Sequence, residues 1–205
     1  MCQNDSHIQI YNMNIIKYPP KAEWASLLER PHRDPAELTG TVMSVLNKIK
    51  DQGDDAVKEF EAQFDKVNLE SLSVTVDELN EAESLVSDEL KKAIELAHAN
   101  IKKFHESQKF ITEKVNVAPG ITCWQKAVAI EKVGLYIPGG TAPLFSTVLM
   151  LATPAKIAGC GEIVLCTPPN KEGKVHPAIL MAARVAGGFV MSTASSTSFT
   201  IMSFE

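Results

Sequence analysis

The stretch that most constrains this chain runs from residue 133 to residue 187, where short apolar strands alternate with helices. Residues 133–137 (VGLYI) read as a buried strand that runs into Pro138-Gly139-Gly140. An apolar helix follows from about residue 146 to 158 and stops at Gly159. Residues 162–166 (EIVLC) form a second strand closed by Thr167-Pro168-Pro169. His176-Pro177 then opens another helix through Ala186, with Gly187 as its stop. Parallel neighbours need a crossover connection, usually a helix, so strand, helix, strand, helix marks a parallel α/β layer. Two strands are convincing and a third is doubtful. A parallel sheet needs several strands and both faces covered, so an aggregation-prone edge at EIVLC and poor solubility of this half are expected.

The residues before this layer read as helices with local punctuation. Asp34-Pro35-Ala36-Glu37 sets an acidic N-cap, a proline at the first helical position and a glutamate that bonds back to the cap. Leu38, Val42, Val45, Leu46 and Ile49 recur at helical spacing, and Gly53 is placed to end the helix. Val57, Phe60 and Phe64 share a face of the next segment. Thr75-Val76-Asp77-Glu78 is a capping box, and Ser87 caps a long helix striped by Leu90, Ile94, Ala97, Ile101 and Phe104. These stripes read as core packing. Residues 115–130, with Pro119-Gly120 as a turn, suggest a β-hairpin. The organisation is thus a lead-in over 1–20, a helical segment over 21–112, a partial α/β domain over 113–187 and a divergent tail over 188–205.

Composition closes off other classes. Hydrophobic residues make up 45% of the 205, which excludes a disordered or collagen-like chain. A net charge of −5 and no long basic run argue against a nucleic-acid binder that neutralises phosphates. The longest apolar region, residues 148–158, is broken by Thr153, Pro154 and Lys156 and is too short to span a bilayer. There is no secretory signal in the opening MCQNDSHIQIYNMN. Four scattered cysteines (Cys2, Cys123, Cys160, Cys166) without a C-x-x-C pair read as reduced thiols of a cytoplasmic protein. Cys123, Cys160 and Cys166 are expected to be buried small hydrophobes.

The Gly-Gly turn after the first strand has a use beyond connection. At the carboxyl end of a parallel strand it lets backbone approach a ligand, and a following helix N-terminus favours an anionic group. Tyr136, at the strand's end, could lay its ring on a flat cofactor. The spacing matches neither G-x-G-x-x-G nor a Walker A loop, and a purely structural turn remains the alternative. His98 and His105 share a face of one helix at a spacing unlike that of a metal pair, and read as surface or interface histidines.

The run VGLYIPGGTAPLFSTVLMLATPAKIAGCGEIVLCTPP at residues 133–169 closely resembles the NAD-binding segment of the histidinol dehydrogenase family. DQGDDAVKEFEAQFDKV at 51–67, SDELKKAIELAHANIKKFHESQ at 87–108 and PGITCWQKAVAIEKVG at 119–134 resemble it in the same order. The resemblance covers about residues 21–187, and GLYIPGGTAPL is its most specific part.

The resemblance implies a fold akin to the aldehyde dehydrogenases: a helical N-terminal segment followed by an incomplete, Rossmann-like parallel sheet. It implies NAD- and zinc-dependent oxidation of L-histidinol to L-histidine, the last steps of histidine biosynthesis, by a homodimer. Tyr136 matches the tyrosine that contacts NAD. The family's Glu-His base pair, and the Gln, His, Asp and His that bind its zinc, are expected later in the chain than anything present. No catalytic or metal residue is therefore assigned, and His176 matches no metal position. The tail GFVMSTASSTSFTIMSFE departs from the family, which implies a truncated or frame-shifted member inactive alone. The alternatives are a non-catalytic remnant that binds nucleotide or pairs with another subunit, and another aldehyde dehydrogenase-like reductase. Reductases of that kind lack the LYIPGGTAPL wording.

Overall fold

A computed structural model of the chain describes residues 16–29, 35–139, 142–187 and 190–193. Their contacts divide them into two compact units, one ending at Leu38 and the other beginning at Thr39. In the first, a 3-10 turn at Lys21–Glu23 leads into the single-turn helix α1 (Trp24–Leu27), and Trp24 Nε1 donates to the carbonyl of Pro19 at 3.1 Å. Most of the expected lead-in, and Asp34 as a cap, lie outside the described residues.

Helix α2 (Pro35–Gln52) begins at the expected proline and ends at Gly53, whose φ of 56° is a conformation that L side chains rarely adopt. Gly53 N–H donates to the Ile49 carbonyl, closing α2, and α3 (Asp54–Phe60) starts at once. A π-helical turn, Glu61–Asp65, extends α3 and ends at Lys66 in the left-handed region. The Thr75 capping box forms: Thr75 Oγ1 accepts from Glu78 N at 3.2 Å, and Glu78 Oε2 accepts from Thr75 N at 2.8 Å, starting α4 (Val76–Leu85). Ser87 caps α5 (Asp88–Glu106) through Leu90 N.

Strands β1 (Lys114–Ala118) and β2 (Ile121–Trp124) form the expected antiparallel hairpin, with every residue exposed. The parallel layer then follows as β3 (Lys132–Tyr136), α6 (Phe145–Ala158), β4 (Glu162–Thr167), α7 (Pro177–Ala186) and β5 (Val190–Thr193). The sheet order is β3-β4-β5, all parallel, with Tyr136 opposite Cys166 and Cys166 opposite Ser192. The third strand is therefore present: the short VMST segment gains its partner from β4 rather than from a strong pattern of its own.

The side-chain period of two divides the sheet between two cores. Leu135 and Leu165 join a cluster built from α4, α5, α6 and α7, centred on Ile94, Val148, Leu149 and Ala182. Tyr136, Val164 and Cys166 join a second cluster with Val45 and Ile49 of α2 and Val57 and Phe60 of α3. Helices thus cover both faces, as a parallel sheet requires. Phe64 and Phe104, expected in the core stripes, are instead 51% and 62% exposed. Phe64 stacks on Phe60 from outside, with ring centroids 5.8 Å apart. The stripe on α5 is longer than the surface it meets, so its last aromatic lies beyond the packed helices. No helix among the described residues is long and apolar enough to cross a membrane.

Candidate functional site

Among the described residues, a cleft lies beyond the carboxyl end of the sheet. β3 ends at Tyr136, and Ile137 N–H donates to the Cys166 carbonyl at 2.8 Å, so the two strands run in step to their ends. Beyond them the chain leaves in two proline-bearing loops, Pro138-Gly139 from β3 and Pro168-Pro169 from β4. Proline lacks an N–H and stops the ladder there. Residues of both loops line this cleft of about 600 Å³. Asp65, Tyr136, Gly139, Thr167, Pro168 and His176 are among its lining residues.

Each lining group is set by a local device. Tyr136 is half-buried, one side of its ring held by the α2–α3 cluster and the rest turned to the cleft. His176 caps α7 through Nδ1, which accepts from Ala178 N at 3.1 Å; that nitrogen therefore carries no proton, and the first free amide of α7 is already satisfied. Helix α6, by contrast, has Leu144 at its N-cap, which offers its first-turn amides no side-chain acceptor. Asn170 shapes the approach to α7: its Oδ1 accepts from Glu172 N at 3.0 Å and from Lys174 N at 2.9 Å.

Two polar atoms of the lining are shut from solvent and have no hydrogen-bond partner among the described residues: Thr167 Oγ1 and Asp65 Oδ2. Thr167 is 1% exposed at the last position of β4. An unmade hydrogen bond of this kind costs about 1–3 kcal/mol, which a ligand with a matching group would recover. Neither residue was singled out by the sequence. Thr167 read only as the start of a turn, and the π-helical turn that carries Asp65 leaves no periodic signal.

The other candidates fall away from this cleft. His98 is half-buried on α5, where burial, and then the neighbouring Lys102, hold its pKa below the usual value. His105 Nδ1 lies 2.8 Å from Gln108 Oε1. Among the described residues no three His, Cys, Asp or Glu side chains gather as a metal ion would need. Of the cysteines expected inside, Cys166 is buried, Cys160 is half-buried and Cys123 is exposed. Cys123 stands on a hairpin that nothing described covers, so its small apolar side chain has no core to enter.

Fold and site together define a parallel α/β protein with a cleft at the carboxyl edge of its sheet, the edge where sheets of this class bind their ligands. Residues 28–193 match the family model of histidinol dehydrogenase, and the chain belongs to that family. The match continues past Gly187 into β5, so the likeness does not stop where the sequence reading placed its end. The chain is 63% identical over 175 residues to the histidinol dehydrogenase of Bacteroides thetaiotaomicron, covering 85% of this chain and 41% of that one. It is 48% identical over 162 residues to the one from Shigella sonnei, covering 78% and 36%. A crystal structure of histidinol dehydrogenase from Elizabethkingia anophelis superposes with a TM-score of 0.82 at 43% identity, over 91% of this chain and 44% of that one. The chain thus spans about two-fifths of the length of the curated relatives it matches.

Proposed function

We propose that the cleft beyond β3 seats NAD, and that this chain supplies the nucleotide-holding part of an enzyme that oxidises L-histidinol through histidinal to L-histidine. The observation that carries the reading is Tyr136 at the cleft beyond the sheet's carboxyl edge, beside two buried polar atoms that lack partners among the described residues. The volume of about 600 Å³ is in the range of small-molecule sites. The residues present fit a dinucleotide. Tyr136 offers a ring face to a flat group. Thr167 offers a hydroxyl in a dry position, and Gly139, without a β-carbon, lets the β3 loop close against Pro168 at the cleft's edge. NAD, when bound, supplies the hydride acceptor.

Zinc does not fit the described residues, which assemble no donor set for it. Alcohol oxidation also needs a base for the hydroxyl proton. We place the family's Glu-His base and its metal ligands in the part of the family fold that lies outside the matched two-fifths. On this reading the 205-residue chain binds nucleotide but does not turn over histidinol by itself. Kinship of the sheet with the aldehyde dehydrogenases, a cytoplasmic setting and pairing as a homodimer belong to the same proposal.

Calorimetric titration with NAD tests it. Saturable binding to the chain is expected, weakened about tenfold or more in Tyr136→Ala, as loss of an aromatic stacking contact implies. A chain that is folded by circular dichroism yet takes up no NAD would overturn the nucleotide seat. Turnover of histidinol by the chain alone, with NAD and zinc added, would overturn the placement of base and metal elsewhere.

A further inference from the structure

Asp65 occupies an unusual piece of backbone. α3 widens into the π-helical turn Glu61–Asp65, and Lys66 then takes φ 60° and ψ 32°. A residue with a β-carbon is strained in that left-handed region, and π turns and such outliers gather where a side chain must be aimed for function. The consequence here is that Asp65 reaches the cleft that Tyr136 and Thr167 also line.

Its chemistry narrows what it can meet. An ionised carboxylate only accepts hydrogen bonds. Asp65 Oδ2 is closed to solvent and has no donor among the described residues. A ligand hydroxyl or N–H in the cleft would supply that donor. The described lining of the cleft contains no lysine or arginine. A phosphate placed beside Asp65 would therefore meet like charge and find no lysine or arginine in the described lining, whereas a sugar hydroxyl would find an acceptor. Carboxylates take the ribose 2′-hydroxyl in other dinucleotide sites for this reason.

We propose that Asp65 accepts the 2′-hydroxyl of the adenosine ribose and thereby makes the cleft select NAD over its 2′-phosphorylated counterpart, NADP. This rests on the nucleotide reading of the same cleft. Direct binding to the 205-residue chain tests it, with NAD, NADP and the 2′-deoxyadenosine form of NAD as titrants. The unmodified chain is expected to bind NAD at least about tenfold more tightly than either analogue, as a hydrogen bond to a charged group implies. In Asp65→Asn the preference over NADP is expected to shrink to about threefold or less, because the like charge is gone. Equal binding of NAD and the 2′-deoxy analogue by the unmodified chain would overturn the proposal without any variant. So would an unchanged NAD-to-NADP ratio in Asp65→Asn, and both results leave the nucleotide seat standing. Failure of the folded, unmodified chain to bind any of the three overturns the seat itself, and the role of Asp65 with it.

Discussion

Gly139 lies so close to Pro168 that a β-carbon on Gly139 would sit 3.0 Å from Pro168 Cγ and 3.3 Å from its Cβ. The pyrrolidine ring is locked to its backbone and is followed by a second proline, so it cannot swing aside as a flexible side chain would. Gly139→Ala is therefore expected to cost about 1–3 kcal/mol, the range for overpacking, read as a lower urea midpoint. It should also weaken NAD binding, since both loops of the cleft must part. Pro168→Ala in the same chain should recover much of the loss, and a double-mutant cycle measures how much.

The start of α4 carries a local test of stability away from the cleft. Thr75 Oγ1 and Glu78 close the capping box, and α4 is tied to α7 by the Arg184–Glu83 ion pair at 2.9 Å. The pair is exposed at both ends and contributes little. The cap counts for more: Thr75→Ala is expected to cost about 1 kcal/mol in chemical denaturation, with Thr75→Ser close to unchanged.

What the sequence displayed follows from how local each determinant is. The Thr75 and Ser87 caps, the Gly53 break and the Pro35 and Pro177 starts depend on a few adjacent residues, and all are where the spacing puts them. Strands β3 and β4 were legible from apolar runs, and Tyr136 was legible as the residue at the sheet's carboxyl edge. The two cores were not, because which face of EIVLC meets α2 and α3 depends on helices more than a hundred residues earlier in the chain. Asp65 was hidden for the same reason. Its role is set by a backbone distortion and by loops far away in sequence. Phe104 and Cys123 misled because an apolar residue at the right spacing needs a partner surface as well, and the periodicity reports only the residue.

The three described cysteines should separate by reactivity and by pH. Burial pushes the Cys166 thiol from an ordinary 9.0 up to about 11, whereas Cys123 is exposed. Iodoacetamide at pH 8 is expected to modify Cys123 first and to reach Cys166 only when the chain unfolds, as peptide mass spectrometry would read. The folded state keeps the Cys166 proton above pH 9.0, where the unfolded chain has begun to lose it. That stabilisation is complete below pH 9.0 and is lost as pH rises through about 11. The difference in urea midpoint between the unmodified chain and Cys166→Ala should therefore shift against the unmodified chain across that window. A difference that stays flat would show that Cys166 does not titrate with folding.

The hairpin offers the sharpest contrast in local stability. Every residue of β1 and β2 is exposed, including Val115, Val117, Ile121 and Trp124, each more than half accessible. Its cross-strand support is slight: Thr122 Oγ1 donates to Asn116 Oδ1 at 2.7 Å, and Lys114 Nζ sits 5.6 Å from the Trp124 ring centroid. A two-stranded ribbon with no covered face is marginal in water, because its few hydrogen bonds and side-chain pairs must offset the ordering of both strands. β4 lies between two strands with Leu165 and Cys166 wholly buried. Hydrogen exchange followed by mass spectrometry is expected to find the hairpin amides exchanging within seconds and those of β4 protected to near the global unfolding limit. Protection of the hairpin comparable to β4 would mean that its apolar face is covered in solution. In that case sedimentation at rising concentration should reveal self-association, and Ile121→Lys should abolish both the protection and the association.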